Sequence, residues 1–344
     1  MTWTIFDKND DEWHKRFLEM GAHYRQSYGW GNYKSLMGWK VLRLRKITKN
    51  KKPIFVQLTY KKFLFFSAIY IPGDIIGDIK YLDEEFKKSL RLLTKSYFIY
   101  VRMDTNSSNI EIVNESLIKN KWYKPIHREH VSRSISLNID KSDDEIIKGA
   151  SDNWRKSYKK SLKFYTSKKF NIKFSSQPNS SDLVKISNEM NRSKKIFSDH
   201  IEREFDNLYD TLPNNILFGV IYDQNNKPIS YRAFIYFNNK GWDLGAATSP
   251  EGRDLLASYF LTIELLKKAR DLGIVNYNFG GINKKNKPGV YFFKKGIANY
   301  EYDYSGEWEW SNIFFLRYFI NFLISIIMSN SVRKIFPIIK KLRF

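Results

Sequence analysis

An internal repeat constrains this chain more than any other feature. Residues 41–47 (VLRLRKI), 54–63 (IFVQLTYKKF) and 63–71 (FLFFSAIYI) read as three strands, and a helix over 82–96 and a strand over 97–104 follow. The same order returns later. Strands at 216–223 (ILFGVIYD), 229–237 (ISYRAFIYF) and 242–248 (WDLGAAT) precede a helix from Ser249 to Leu272 and a strand over 275–281 (VNYNFGG). The first turn of each copy ends in N-x-K-P, at Asn50–Pro53 and Asn225–Pro228, 175 residues apart. An antiparallel meander, then one helix, then a strand brought back parallel is an α/β layer pattern with mixed sheets. Such layers bind ligands where strands part at their carboxyl ends. The repeat, in 344 residues, predicts two domains. The second helix carries its own punctuation: Ser249 as cap, Pro250 at the first turn and Gly273 past the end.

The stretch 276–296, NYNFGGINKKNKPGVYFFKKG, opens as a strand, halts at Gly280-Gly281, passes three lysines and reads as returning in an aromatic strand that ends Phe293-Lys294-Lys295. The glycines have two readings. They form a tight strand exit, or a bare backbone that a ligand approaches closely. Lys294 likewise is a solvated edge lysine or a cation that holds the ligand's negative groups. The net charge, +22 from 58 basic and 36 acidic residues, creates a field that attracts polyanions. Nucleic acid, nucleotide-sugars and anionic lipid headgroups are the candidates, beside the plainer reading of lysines that serve solubility.

Other classes fall away. The chain has no cysteine, which removes disulfides, thiolate zinc sites and a catalytic thiol. Neither G-x-x-x-x-G-K-[ST] nor G-x-G-x-x-G occurs, and there is no H-E-x-x-H. His127 and His130 in HREH read as a surface or interface pair rather than a metal site, and Ser27 has no triad around it. The opening MTWTIFDKNDDEWHKRF has charge and no apolar h-region, so a cytosolic protein is expected.

Two basic segments remain. DNWRKSYKKSLKFYTSKKFNIKF (152–174) holds eight Lys or Arg among aromatics and reads as a helix over 152–166 leading to a strand near 170–174. Its charged face is either a phosphate-binding surface or a solvated bridge. The tail, SNIFFLRYFINFLISIIMSNSVRKIFPIIKKLRF, is apolar and basic at once. Its run from Ile313 to Met328 is shorter than the roughly 20 residues of a spanning helix. A buried terminal helix is one reading. The other is an amphipathic helix on anionic lipid, helped by Arg333, Lys334, Lys340, Lys341 and Arg343.

YNFGGI (277–282), VYFFKKGI (290–297) and YSGEW (304–308), in that order, resemble the signature of the Fem family, aminoacyl-tRNA-dependent transferases that add amino acids to peptidoglycan precursors. SYGWGNYKSLMGW (27–39) is similar to that family's opening helix, YVRMD to its first-half strand ending at Asp104, and WRKSYKKSLK (154–163) to the basic helix that starts its second half. The resemblance implies two tandem acetyltransferase-like (GNAT) domains, over 1–147 and 148–308, with a C-terminal helix over 309–344 packing back onto the first. No insertion for the family's coiled-coil arm is present. It implies an aminoacyl-tRNA donor with no cofactor and a nucleotide- or lipid-linked envelope precursor as acceptor. A monomer is expected because the repeat supplies its own pseudo-partner, and the opening and the tail place it in the cytoplasm or at the inner face of the membrane. Lys294 and Asp104 fall on its catalytic positions. Phe293, Tyr291, Gly280, Gly281, Lys34 and Trp30 fall on substrate-binding ones. Arg155, Lys156, Lys159 and Lys160 fall on the tRNA- or phosphate-binding helix. KIFSDHIEREF (195–205) departs from the pattern of members that bind UDP-linked precursors, and Arg203 stands nearest their arginine. The acceptor is therefore a stem peptide or an amino sugar of a surface glycan.

The implied reaction is attack of an amine on an activated ester. It asks mainly for alignment and for stabilisation of an oxyanion, which suits Lys294. Asp104 is a proton acceptor only if burial raises its pKa from about 3.9. The alternative is that it pairs with Arg102 or another cation. Two other functions stand beside this one. An acyl-CoA-dependent N-acyltransferase uses the same fold, for which TSPEGRDLLAS (248–258) is a partial pyrophosphate loop. A basic RNA- or membrane-binding protein has the fold without the chemistry.

Overall fold

The structure is a computed structural model that describes residues 2–7, 10–50, 52–196 and 200–328. It divides into two compact units: Met1–Ser132 together with the residues from Asp303 onward, and Arg133–Tyr302.

The first unit runs β1 (Thr4–Ile5), α1 (Asp10–Glu19), α2 (Tyr28–Leu36), β2 (Lys40–Ile47), β3 (Pro53–Phe63), β4 (Phe66–Ile71), α3 (Glu84–Thr94), β5 (Phe98–Thr105) and α4 (Ile110–Lys119). The second unit runs β6 (Arg133–Asn138), α5 (Asp143–Gly149), α6 (Asp152–Thr166), β7 (Phe170–Ser175), α7 (Ser180–Ser193), α8 (Glu202–Thr211), β8 (Ile216–Asp223), β9 (Pro228–Phe237), β10 (Lys240–Thr248), α9 (Pro250–Asp254), α10 (Ala257–Asp271), β11 (Asn276–Gly281), α11 (Pro288–Ile297) and β12 (Tyr300–Asp303). The chain then returns to the first unit as β13 (Gly306–Ser311) and α12 (Phe314–Met328).

The first sheet has the order β1-β2-β3-β4-β5-β13 and the second β12-β6-β11-β10-β9-β8-β7. Strand by strand these are one plan, with β7 to β11 repeating β1 to β5. β4–β5 in the first sheet and β10–β11 in the second are parallel. The α/β class and the repeat stand as the sequence predicts. The strand that closes each sheet beside the parallel pair comes from elsewhere in the chain. β13 pairs antiparallel with β5, and β6 pairs antiparallel with β11. For that reason the units divide at 132/133 and 302/303, not at 147/148 and 308/309.

Local chemistry accounts for the elements. Asp83 caps α3 through Oδ1, accepting from the Phe86 amide at 3.0 Å, and α3 stops at Lys95 in left-handed backbone. Phe86 and Leu90 from that helix enter a core with Leu58, Ile69 and Val101. The helix expected from Ser249 to Leu272 is two helices. Leu256 takes φ +53 between them, and Ser161 Oγ on α6 donates to the carbonyls of Leu255 and Leu256 at 3.3 and 2.9 Å. Side-chain bonding thus satisfies carbonyls that the break leaves without helical partners. The expected aromatic strand through Phe293 is also a helix, α11. Pro288 starts it, a β-carbon on Gly296 would lie 2.8 Å from Trp154, and the Phe293 ring packs tilted against Trp154 and edge-on against Tyr259. A helix puts Tyr291, Lys294 and Lys295 three and four residues apart on one side, which a strand would have split.

α12 belongs to the first unit. The rest of the tail, with Arg333, Lys334, Lys340, Lys341 and Arg343, lies outside the described residues. Among the described residues no helix is long and apolar enough to cross a membrane.

Candidate active site

Each unit places ionisable groups at the carboxyl end of its parallel strand pair. In the second unit β10 and β11 pair at three positions only, Lys240–Trp242 with Asn276–Asn278, and β10 bulges between Asp243 and Gly245. Beyond that point the two strands part. Arg232 on β9 closes on Asp243 in a two-pronged ion pair, Nε to Oδ1 at 2.8 Å and Nη2 to Oδ2 at 3.1 Å. The Tyr277 hydroxyl donates to the same Oδ1 at 3.3 Å, and the guanidinium lies 5.5 and 5.3 Å from the ring centres of Phe279 and Phe293. Phe293 is therefore part of the packed floor of this centre.

Just past Asn278 the backbone turns at Gly280, φ +76, whose amide donates to Asn278 Oδ1 at 2.6 Å. Lys294 Nζ, from α11, donates to the carbonyl of Gly281 at 3.0 Å. Burial lowers the Lys294 pKa to about 8; Asp243 opposes the shift, while Arg232 and Lys287 add to it. The half-buried ammonium is thus charged at neutral pH and donates to one backbone oxygen among the described residues. Gly280, Gly281 and Lys294 are brought together, as their order predicts. Tyr291 is half-buried on the same helix, its hydroxyl 3.5 Å from Glu301.

In the first unit β4 pairs with β5 as far as Ile71 and Met103, and Asp104 is the next residue. The chain leaves β4 through Gly73 and Asp74, both left-handed at φ +71 and +78, and the Asp74 amide donates to the Asp104 carbonyl at 2.9 Å. A left-handed non-glycine residue carries strain, which clusters at functional sites. Asp104 is buried. Its Oδ2 accepts from Arg25 Nη1 at 3.2 Å, and its Oδ1 has no hydrogen-bond partner among the described residues. Burial raises its pKa, against the pull of His130, Arg25 and Arg102. Asp74 rises to about 6, by burial first and by Asp104 second, with the Ile75 and Asn106 amides opposing. Arg102 is engaged elsewhere, with Glu307 at 3.1 and 3.0 Å, so the cation beside Asp104 is Arg25. His23 packs against Gly73, where a β-carbon would lie 2.7 Å from Nδ1, and burial followed by Arg25 holds its imidazole well below the ordinary value.

Lys34, at the end of α2, is lowered to about 8 by burial, then by Arg25 and Lys61. Its Nζ and that of Lys61 lie 5.3 and 4.7 Å from the ring centre of Trp39. Trp30 packs edge-on against Tyr24 at 5.1 Å and against Tyr33 at 5.1 Å. Lys34 and Asp104 thus share Arg25 as a neighbour.

The basic helix α6 behaves differently. Arg155 donates to the carbonyls of Lys148 and Ala150 and pairs with Asp152, so its guanidinium caps the preceding helix. Lys156, Lys159 and Lys160 are exposed, and Arg203 is exposed on α8. Arg25, Asp74, Arg232 and Tyr277 are site residues that sequence reading did not single out. The only local signal was an arginine inside the otherwise apolar strand 229–237, facing an aspartate in the next. Among the described residues no group of three or more His, Asp or Glu is placed to hold a metal ion.

Comparison with known proteins bears on this arrangement. The FemAB family model matches residues 168–318. No curated protein matches the chain in sequence. Among solved structures, the crystal structure of FemX is 17% identical over 93% of this chain and 100% of that one, with a TM-score of 0.75. L-PGS from Bacillus licheniformis is 12% identical over 92% of this chain and 97% of that one, with a TM-score of 0.53. A tandem GNAT protein from the clavulanic acid biosynthesis pathway is 8% identical over 90% and 98%, with a TM-score of 0.52. At such identities the likeness is one of fold: two tandem GNAT-like domains, with no coiled-coil arm among the described residues. The likeness to the FemAB family in sequence is carried by residues 168–318, which take in most of the second unit, the strand that returns to the first and the start of the helix after it.

Proposed function

We propose that the protein is an aminoacyltransferase that moves an aminoacyl group from aminoacyl-tRNA to an amine of a cell-envelope precursor. FemAB family sequence over 168–318 supports acyl transfer. The observation that carries the finer reading is Lys294, a desolvated ammonium held at the mouth of a parting strand pair by the Gly281 carbonyl. An ester under attack by an amine develops negative charge on its carbonyl oxygen, and a cation fixed in a site of low polarity lowers that barrier. In the first unit, Asp104 is a buried carboxylate whose Oδ1 has no hydrogen-bond partner among the described residues, and it is proposed as a proton acceptor. It suits an incoming ammonium, whose proton must leave before nitrogen attacks. Lys34 and Trp30 would hold the acceptor's anionic and apolar parts.

An RNA ester is favoured over acyl-CoA as donor by the segment between β10 and α10. GNAT proteins that bind CoA present backbone amides there to a pyrophosphate. In this chain the segment is the helix α9, and its amides are used internally. Gly252 N donates to Ser249 Oγ, Arg253 N to Ser249 O, and Leu255 N to Glu251 O. The acceptor is proposed as a peptidoglycan stem peptide or an amino sugar of a surface glycan, at the cytoplasmic side of the envelope.

The test is transfer itself. Purified protein is mixed with labelled aminoacyl-tRNA, or with acyl-CoA, and extracted envelope precursors. A mass increase of one aminoacyl residue with the tRNA donor, lost in Lys294→Met and Asp104→Asn, supports the reading. Transfer from acyl-CoA alone, or no transfer with any precursor, overturns it.

A further inference from the structure

One helix of the first unit is built inside out. On α12 the polar residues face inward: Arg317 and Asn321 are buried, and both donate to the carboxylate of the buried Glu309, at 2.8–2.9 Å. The aromatic residues face outward, with Phe315 at 79% exposure, Phe322 at 60% and Phe319 at 57%. Water gives no reason for this orientation. Exposed aromatic area costs about 25 cal/mol per Å² relative to burial, while the buried ion pair carries a desolvation cost of its own.

A second segment brings the same chemistry to the same end of the unit. The tip of the β3–β4 hairpin is Phe63-Leu64-Phe65, with Leu64 left-handed and 87% exposed. Phe65 O accepts from the amides of Tyr97 and Phe98, and the Phe65 and Tyr97 rings meet edge to face at 5.7 Å. Tyr97 O in turn accepts from Asn312 Nδ2 at 2.6 Å, two residues before α12 begins. Lys62 Nζ ties the hairpin to the end of α3 through the carbonyls of Thr94 and Lys95, at 3.0 and 2.7 Å. Leu92 there is 75% exposed, flanked by the exposed cations Lys88, Arg91 and Lys95. Three elements distant in sequence therefore end in one apolar rim bordered by positive charge.

We propose that this end of the first unit docks onto an anionic lipid bilayer, with the hairpin tip and the outer face of α12 entering the headgroup layer. Charge selects this occupant. Protein–protein interfaces are depleted in lysine, whereas anionic membranes attract it. At this rim the exposed cations are Lys88, Arg91 and Lys95 beside Leu92. Aromatic and leucine side chains beside lysine and arginine are what the interfacial layer accommodates. The proposal is independent of the transfer reaction and needs no activity to be tested.

Full-length protein is sedimented with vesicles of phosphatidylcholine alone and of phosphatidylcholine with phosphatidylglycerol. Binding is expected to the second kind and to weaken with salt. Leu64→Asp with Phe65→Asp, and separately Phe315→Asp with Phe319→Asp, are each expected to weaken it roughly tenfold or more. All these side chains are exposed, so circular dichroism and thermal melting should match the wild type. No binding to phosphatidylglycerol vesicles overturns the proposal. So does equal binding by the variants, which would place the contact on another basic surface. Dimerisation that the same substitutions abolish, without vesicle binding, would assign the rim to a second copy and overturn it too.

Discussion

Gly280 and Lys294 are neighbours across the turn that ends β11: a β-carbon built on the glycine would lie 3.8 Å from the lysine Nζ. That distance is ordinary contact, so space alone does not forbid a side chain. The backbone does, since Gly280 stands at φ +76. Gly280→Ala is expected to cost about 1–2 kcal/mol from left-handed strain alone. Thermal melting reads this loss. A variant as stable as wild type would mean that the turn relaxes.

Lys294→Met is expected to lower the transfer rate by roughly 10²- to 10³-fold, the usual loss when a group that stabilises an oxyanion is removed. The lysine is needed charged and its pKa is about 8, so kcat/KM should fall as pH rises through that value. Lys294→Arg keeps the charge and should move this alkaline limb out of range. Single-turnover rates across pH check both statements, and an unchanged limb in the arginine variant would refute the assignment.

Asp74 makes stability depend on pH in a direction opposite to most carboxylates. Its folded pKa is raised to about 6, above the unfolded value near 3.8, so the folded state binds the proton more tightly. The stabilisation is complete below the unfolded pKa and is lost as pH rises through about 6. Asp74→Asn should therefore be more stable than wild type at pH 8, by about 2–3 kcal/mol at most, and gain little at pH 4. Urea titrations at the two pH values measure the difference.

What the sequence made readable follows the range of each signal. β8 and α6 fall on the residues expected, because alternation and helical spacing are local. The helix through Phe293 was misread because VYFF alternates poorly and looks β-prone. Its conformation is decided by Pro288 and by the fit of Gly296 and Phe293 onto α6, contacts invisible to a short window. The pairing of Arg25 with Asp104 spans 79 positions, and no periodicity reports it. Motif order singles out Lys294 and the glycines as one stretch, and the structure sets them side by side. Asp74 is not singled out, since a single carboxylate after a glycine reads as any turn.

The Arg232–Asp243 pair offers a test of the second centre that is free of kinetics. Breaking a buried ion pair from one side leaves an uncompensated charge, so Arg232→Met should destabilise by about 3–5 kcal/mol. The double variant Arg232→Met, Asp243→Leu should recover most of that loss. Failure to recover would mean that Tyr277, which also bonds Asp243, depends on the carboxylate for its own position.

The exchange of closing strands has a consequence for how the protein is made. β6, the partner of β11, is the first strand of its own unit, so the second sheet can assemble as soon as the ribosome has released residues up to β12. The first sheet must wait. β5 is synthesised early, yet its partner β13 emerges about 200 residues later. Until then the edge of β5 is open, with the buried positions of Tyr100 and Arg102 uncovered, while translation of the other half runs to its end. The first unit is therefore not a detachable cassette, whereas the second is one continuous stretch, Arg133–Tyr302. A gene cut between them would leave the first sheet without β13, and β13 without its sheet.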